Sequence, residues 1–245
     1  MSDPVRIAMW SGPRNISTAM MRAWENRSDT AVWDEPLYGH YLQHTGIDHP
    51  MREEIISATE TNWQTIVDQL VGPVPGGKSI YFQKHMTLHL MDHIDRDWMD
   101  NVVNCFLIRD PAEVIASYAA KRDEVTAADV GFEAQLDVFR HVEKLGGKTP
   151  VVLDARDVLQ QPEKMLQKLC AAVGVGFDDD MLNWPAGQRD SDGIWGVHWY
   201  GVVENSTGFA PYKSSKSVLG DDLSELAAQC RPYYDELFHK RLLPS

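Results

Sequence analysis

Short apolar runs alternate with stretches of helical periodicity along most of the chain. Five apolar runs predict strands: Val5–Trp10, Thr30–Trp33, Ser79–Gln83, Val102–Ile108 and Val151–Leu153. Seven other stretches predict helices: Ser17–Asn26, Thr61–Leu70, Met86–His93, one that begins at Pro111, Gly131–Leu145, Pro162–Val173 and Asp221–Leu237. Strands that alternate with helices form βαβ units. The pattern therefore predicts an α/β protein, with a three-layer α/β/α arrangement around a mainly parallel central sheet.

Two stretches show neither the apolar runs of strands nor the periodicity of helices. Tyr38–Pro50 is predicted to be a loop, and Gly187–Ser217, rich in Gly, Ser, Trp and Lys, to be a long functional loop or lid. A chain of 245 residues can bury one sizeable α/β core but is short for two full domains. We therefore expect residues 1–245 to form a single domain with a loop or lid at about 187–217.

Composition excludes some classes of partner. The chain is 43% hydrophobic and 24% charged, which is ordinary for a soluble protein, and its net charge of -13 argues against nucleic-acid or anionic-membrane binding. Cys105, Cys170 and Cys230 are scattered and odd in number, so we expect reduced thiols and a cytoplasmic protein. A strand begins by Val5 and no apolar run is long enough to cross a bilayer, so neither a signal peptide nor a membrane span is expected.

The first apolar run leads into Ser11–Thr18, a loop that opens a helix. The loop lacks the second glycine and the lysine of G-x-x-x-x-G-K-[ST], and it is not G-x-G-x-x-G. It still places a guanidinium at Arg14 and hydroxyls at Ser17 and Thr18 beside a helix N-terminus, where oxyanions bind. The alternative is a capped helix with Arg14 on the surface.

The fourth apolar run ends in Arg109-Asp110-Pro111, with Ser117 on the helix that follows. Asp110 is the predicted cap and Pro111 the first residue of that helix. An arginine at the carboxyl end of a central strand faces the ligand crevice of an open α/β sheet, and its forked donors suit a phosphate. In the alternative, Arg109 pairs with a carboxylate and Ser117 only packs. Together, the two loops indicate a nucleotide that carries phosphate at two separate points.

These residues resemble the sulfotransferases that use 3'-phosphoadenylyl sulfate (PAPS). Pro13–Thr18 is similar to their P-K/R-S-G-T-T-like loop, which holds the 5'-phosphosulfate, and Arg109 with Ser117 to their R-D-P…S segment, which holds the 3'-phosphate. Asp154–Phe177 is similar to a stretch that is mainly scaffold. Asn15-Ile16 departs from the family's Ser-Gly, and the C-terminal G-x-x-G-x-W-K segment is not visible.

The resemblance implies a P-loop NTPase-like fold and sulfuryl transfer from PAPS to a hydroxyl or amine, in a small-molecule acceptor. The product would be adenosine 3',5'-bisphosphate, and no metal is implied. The implied cofactor-binding residues are Gly12, Pro13, Arg14, Asn15, Ile16, Ser17, Thr18, Arg109 and Ser117. Lys213 and Lys216 are added by position alone, as residues that could close over the cofactor.

Sulfuryl transfer needs in-line positioning, cations for the leaving phosphate and a general base for the acceptor. Arg14 would supply the charge. Glu35, which follows the second strand, resembles the glutamate base of carbohydrate-type members. Lys84 and His85, which end the third strand, resemble the lysine–histidine pair of the cytosolic members. The sequence leaves the choice of base open, with a slight preference for Glu35.

Two other functions remain as alternatives. If Asp34 held magnesium as in a Walker B strand, the protein would be a divergent P-loop kinase or NTP hydrolase, although the missing G-K-[ST] argues against this. The other is a catalytically inactive nucleotide-binding scaffold.

The histidines and aromatic residues form less specific patterns. His85, His89 and His93 would share one face of the predicted helix, but no glutamate completes H-E-x-x-H, so a metal site is not favoured. A second, looser cluster is read as solvated loop or as a wall of the acceptor pocket: His40, His44 and His49. A group of aromatic residues either lines the acceptor site or packs the long segment: Trp195, Trp199 and Tyr200.

Overall fold

The five predicted strands form one sheet in which every pair of neighbours is parallel, in the order β2-β3-β1-β4-β5. The structure is a computed structural model that describes residues 3–122, 124–146, 149–213 and 219–244. The strands are β1 Val5–Ser11, β2 Thr30–Asp34, β3 Ile80–Met86, β4 Val103–Ile108 and β5 Val151–Asp154. The prediction of a parallel central sheet is confirmed.

The central strand β1 is buried on both faces. Its alternating side chains divide between two cores, with Ile7 and Met9 on one face and Ala8 and Trp10 on the other, all fully buried. Alternation of this kind follows from the two-residue period of a strand. Both faces of the sheet are therefore covered, as a three-layer fold requires.

Twelve α-helices surround the sheet within the described residues. They are α1 Ser17–Glu25, α2 Tyr38–Thr45, α3 Arg52–Ala58, α4 Trp63–Val71, α5 Pro111–Ala119, α6 Ala127–Val130, α7 Phe132–Gly146, α8 Ala155–Gln160, α9 Pro162–Val173, α10 Gly196–Trp199, α11 Gly201–Glu204 and α12 Asp221–His239. Helices α1 and α9 pack on the Ile7 face, whereas α4, α5, α7 and α12 pack on the Trp10 face. Short 3-10 helices lie at Pro75–Gly77, Thr87–His89, Asp97–Asn101 and Asp179–Leu182.

Two local predictions were wrong. Tyr38–Pro50 is not all loop, because it contains α2, which ends at Gly46 in the left-handed conformation (φ 67°). Tyr38 and Leu42 are buried with Trp195, so tertiary contacts stabilise a helix that the sequence pattern does not show.

The second error concerns Met86–His93, which is not an α-helix. Strand β3 continues through Met86, which pairs with Ser11 of β1, and only the 3-10 turn Thr87–His89 follows. Pairing with a central strand outweighs the local helical spacing here.

The predicted loop or lid at 187–217 contains the one-turn helices α10 and α11. Gly208 forms an antiparallel bridge with Asn183, and Trp195 and Tyr200 are buried. Residues 214–217 of this segment lie outside the described residues. Within the described ranges, the helices are too short or too polar to cross a lipid bilayer.

Candidate active site

The candidate site lies at the carboxyl ends of the four strands β2, β3, β1 and β4. Strands β3 and β2 extend the sheet on one side of β1, and β4 and β5 on the other. The sheet thus extends outward from β1 in both directions. The loops after the neighbouring strands β1 and β4 therefore lie at the point where the strand order changes direction. Open α/β sheets bind ligands at such a position.

The two arginine-bearing loops meet. The Arg14 Nε donates a hydrogen bond to the Ser117 Oγ at 3.0 Å, and the Arg109 Nη1 donates to the Arg14 carbonyl oxygen at 2.7 Å. Three residues that the sequence assigned to two separate phosphate sites thus form one hydrogen-bonded group. We call this group the arginine edge: Arg14, Arg109 and Ser117.

The helix N-termini beside the arginine edge differ in their capping. Helix α5 has a side-chain cap, since the Asp110 carboxylate accepts from the Ala112 N–H at 2.9 Å. Helix α1 begins after Ile16 and has no side-chain cap hydrogen bond. The N–H groups of its first turn, starting with the buried Ser17, are therefore not capped by a side chain and can donate hydrogen bonds to an external anion.

Asn15, which departs from the family pattern, ties the first loop to β4. Its side-chain amide donates to the Leu107 carbonyl oxygen at 2.9 Å and its side-chain oxygen accepts from the Ile16 N–H at 2.9 Å. Gln135 of α7 bridges the same strand ends, donating to the carbonyl oxygens of Leu107 (3.0 Å) and Trp10 (3.3 Å). No sequence signal pointed to Gln135, which lies on a different helix.

The arginine edge concentrates positive charge. Burial, and then the neighbouring charge of Arg109, lower the pKa of Arg14. Arg14 also has a positive φ of 55°, a costly conformation for a non-glycine residue that is typical of functional sites. Glu113 offsets part of the charge: it accepts from Arg109 Nε at 3.0 Å and from the Tyr212 hydroxyl at 2.6 Å. An anion bound between the two guanidinium groups would relieve their mutual repulsion.

A second group of polar residues follows β2 and β3. The Lys84 ammonium donates to the Asp34 carboxylate at 2.8 Å, to the Tyr200 hydroxyl at 2.9 Å, and also to Glu35. The Tyr200 hydroxyl in turn donates to the other Asp34 oxygen at 2.7 Å. We call these four residues the lysine network. Lys84 and Asp34 are 1% and 3% exposed, so this is a buried ion pair with nearly every polar atom paired.

The lysine network keeps its lysine charged. Burial alone would lower the pKa of Lys84, but the negative charges of Asp34 and Glu35 outweigh it and raise that pKa well above its ordinary value. Burial, and then the charge of Asp34, also raise the pKa of Tyr200, so its hydroxyl stays protonated.

The family follows from comparison with known proteins. Residues 5–240, which are nearly the whole chain, match the Sulfotransferase domain family. The chain belongs to the sulfotransferase family. Its match extends beyond the segment from Val5 to Phe177 that carries the sequence resemblance, and it includes the long segment with Tyr200.

Solved structures support the fold of this sulfotransferase family member. It is similar to the sulfotransferase domain of the Synechococcus PCC 7002 olefin synthase, with a TM-score of 0.54, 16% identity, and coverage of 94% of this chain and 95% of that one. It is also similar to a sulfotransferase from Alicyclobacillus acidocaldarius, with a TM-score of 0.55, 12% identity, and coverage of 99% and 98%. At such low identity these similarities establish the fold alone.

Two curated relatives in Arabidopsis thaliana carry a different name. Branched-chain-amino-acid aminotransferase-like proteins 1 and 2 are 32% and 31% identical to this chain over 97% and 94% of its length. The chain spans only 42% and 41% of those proteins. Those names belong to longer proteins, less than half of whose length this chain spans.

The two candidate bases proposed from the sequence, His85 and Glu35, lie in different environments. His85 is 1% exposed and stacks on Trp10 at 4.4 Å, with Trp98 at 5.8 Å. Burial, then the electrostatic influence of His89 and Lys84, lower the pKa of His85 to about 3. Glu35 instead lies at the edge of the lysine network, with a 12% exposed side chain and a positive φ of 42°.

His89 is a site residue whose role the sequence analysis missed. Its ring stacks on Tyr38 at 4.6 Å, and its Nδ1 lies 3.8 Å from the Glu35 carboxylate. That nitrogen is buried without a hydrogen-bond partner. Burial, then Lys84 and His49, hold the pKa of His89 well below its ordinary value, so the ring is neutral.

The other predicted site residues are placed as follows. His85, His89 and His93 do not share a helix face, because the first lies in β3 and the second ends a 3-10 turn. Lys213 is exposed, and Lys216 lies outside the described residues. Tyr200, which the sequence left undecided between packing and a binding role, joins the lysine network.

Proposed function

We propose that this protein transfers a sulfuryl group from PAPS to a hydroxyl or amine of a small molecule in the cytoplasm. The observation that carries the proposal is the arginine edge, where Arg14, Ser117 and Arg109 from two loops converge beside an uncapped helix N-terminus. A nucleotide with phosphates at two positions of its ribose requires two such groups of donors close together.

The residues present fit this donor. Arg14, Ser17, Thr18 and the N–H groups of α1 would hold the 5'-phosphosulfate, and Arg109 with Ser117 the 3'-phosphate. When bound, PAPS would supply the sulfuryl group and a phosphate leaving group. The guanidinium of Arg14 and the first turn of α1 would stabilise negative charge that develops on that phosphate.

We assign the general base to Glu35. A base must reach the acceptor and accept a proton near neutral pH. His85 does neither well, because it is buried between tryptophans and its pKa is about 3. Lys84 holds the Glu35 carboxylate in place, and the proton from the acceptor would pass to a Glu35 oxygen.

The acceptor would lie among aromatic rings beside Glu35. Burial, then the charge of Glu35, raise the pKa of Tyr38, and Tyr118 has an electrostatic influence on both Tyr38 and Arg14. Tyr118 directly follows Ser117 of the arginine edge on α5. This arrangement supports one crevice that both substrates enter.

The kinase alternative needs Asp34 to bind magnesium. The two Asp34 oxygens already accept from Lys84, from Tyr200 and from the Gly193 N–H at 3.1 Å. Asp34 is also 3% exposed. These contacts favour a structural role for Asp34 over a magnesium ligand.

Nucleotide binding tests the donor site. We expect adenosine 3',5'-bisphosphate to raise the melting temperature without magnesium, because no metal is needed to hold it. Stabilisation only by ATP with magnesium would favour the kinase instead and would contradict the proposal.

Sulfur-35 transfer from labelled PAPS to a panel of hydroxyl and amine acceptors tests catalysis. We expect labelling that Glu35→Gln lowers about 100-fold or more, as loss of a general base does, with nucleotide binding retained. Glu225→Gln, at an exposed carboxylate of α12, is the matched control. Bisphosphate binding without any labelled acceptor would favour the inactive scaffold.

A further inference from the structure

Three histidines from two distant segments meet at the surface beside α2. His40 and His44 lie on α2, and His93 lies after the 3-10 turn that follows β3. One ring nitrogen of each lies within 4.8 Å of the others. The Nε2 atoms of His40 and His93 are 2.8 Å apart, and the rings of His44 and His93 are 4.3 Å apart.

The spacing of the first two histidines follows from the helix. Residues four apart project from the same face of an α-helix, so His40 and His44 point to one side of α2. In the sequence these two histidines cluster with His49, but the His49 ring instead hydrogen-bonds to the Tyr38 hydroxyl at 2.8 Å. Only the fold shows that His93 completes the group.

A backbone carbonyl fixes the tautomer of His40. Its Nδ1 lies 2.7 Å from the Thr61 carbonyl oxygen, and because a carbonyl can only accept, Nδ1 carries the proton. The Nε2 atom of His40 therefore carries a lone pair, which accepts from His93 Nε2 at 2.8 Å. This carbonyl–histidine contact is the kind of support that metal-bound histidines have.

The histidine group is accessible. His44 and His93 are exposed, and a cavity of about 490 Å³ opens beside them, lined by His40, Gln43, His44, Thr61 and Asn62. An ion could therefore enter and keep water on its open coordination positions. Nitrogen ligands without a carboxylate suit zinc, nickel or copper and not magnesium or calcium.

We infer that His40, His44 and His93 form a binding site for a divalent first-row transition-metal ion of the zinc type. Tetrahedral zinc–nitrogen bonds of about 2.0–2.1 Å place two ligand nitrogens roughly 3.3 Å apart. The Nε2 atoms of His40 and His93 must therefore separate by about half an ångström, which the exposed His93 ring can do. His93 must also move its proton from Nε2 to Nδ1.

The ion would connect two segments of the candidate active site. Helix α2 begins three residues after Glu35, and His93 follows the strand that carries Lys84. The position of the ion implies a structural role, in which it holds these two segments together, and not a role in sulfuryl transfer. The inference does not depend on the proposed donor or acceptor.

Titration calorimetry with Zn²⁺ tests the site in protein that has no affinity tag and has been stripped with a chelator. We expect one ion per chain with a dissociation constant in the micromolar range or below, and no binding of Mg²⁺. His44→Ala and His93→Ala should each weaken binding at least tenfold, because each removes one of three ligands. Both side chains are exposed, so neither substitution should unfold the protein.

His239→Ala, at an exposed histidine of α12, is the matched control and should bind Zn²⁺ as the unaltered protein does. As a second readout, Zn²⁺ should raise the melting temperature of the unaltered protein but not of the variant that carries both His44→Ala and His93→Ala. The inference is overturned if no saturable binding occurs. It is also overturned if that double variant binds Zn²⁺ as tightly as the control.

Discussion

The arginine edge and the lysine network lie at the same edge of the sheet, yet they balance their charges differently. In the arginine edge, two guanidinium groups lie together, the pKa of Arg14 is lowered, and the first turn of α1 has no side-chain cap. In the lysine network, Lys84 is surrounded by two carboxylates and a hydroxyl, and its pKa is raised.

The difference indicates what each region is prepared to do. A site that will bind a multiply charged anion keeps cationic and N–H donors available, at a cost in electrostatic repulsion. A buried group that must stay in one position pairs all its charges within the protein. We interpret the arginine edge as the donor site, and the lysine network as the support that orients Glu35.

The largest expected effect is on the lysine network. Lys84→Met would leave the Asp34 and Glu35 carboxylates without their cation, so we expect a loss of about 3–5 kcal/mol in the free energy of unfolding, measured in urea. The double variant Lys84→Met with Asp34→Asn should lose less, because it removes one of the stranded charges. A loss below about 1 kcal/mol for Lys84→Met would show that the network is not tightly coupled.

Arg14→Ala tests the arginine edge. We expect adenosine 3',5'-bisphosphate to bind roughly 10- to 150-fold more weakly, as for the loss of about 1.5–3 kcal/mol from a charged hydrogen bond. Calorimetry measures the change. Arg96→Ala, at an arginine that pairs with Asp137 on the surface, is the control and should bind normally. Equal binding by both variants would remove Arg14 from the donor site.

Lowering the pH should reduce the free energy of unfolding through His85, which follows Lys84 of the lysine network in β3. The folded pKa of about 3 is below the unfolded value of about 6.5, so between these values the unfolded chain binds more protons. The free energy of unfolding should therefore fall as the pH falls, with His85 contributing a loss of about 2 kcal/mol between pH 7.5 and pH 5. Urea unfolding at both pH values should show a smaller loss in His85→Gln. An identical loss in the variant would mean that His85 is not held neutral.

The smallest expected effect is that of Arg109, which we assign to the 3'-phosphate. Arg109→Ala should lower the preference for adenosine 3',5'-bisphosphate over adenosine 5'-monophosphate by about tenfold, which corresponds to about 1.4 kcal/mol. Competition binding with both nucleotides measures this ratio. General damage to the loop would weaken both nucleotides equally and leave the ratio unchanged, which would contradict a role in binding the 3'-phosphate.

Local patterns were sufficient for the five strands and for six of the twelve helices in the described part of the chain. The apolar runs located all five strands, and Asp110 and Pro111 marked the start of α5, because capping and strand burial depend on neighbouring residues. The same patterns failed for Tyr38–Pro50 and Met86–His93. There the helix α2 and the last residues of β3 are stabilised by partners far away in the chain.

The candidate site was predictable where one loop carries the chemistry. Arg14 and Arg109 were recognisable because each follows a buried strand. Gln135 was not recognisable and Tyr200 was left undecided, since each acts through one amide or hydroxyl that reaches another element, and such contacts leave no periodic signal.

The sequence by itself determined the α/β class, the strands and the two arginine-bearing loops that follow buried strands, because these follow from burial periods and side-chain types along a short stretch. The tertiary structure alone decided that Arg14 and Ser117 are in contact, that Lys84 pairs with Asp34 and Tyr200, and that His93 joins α2. Distances between groups 50 to 116 residues apart depend on how the whole sheet is ordered, which no local pattern contains.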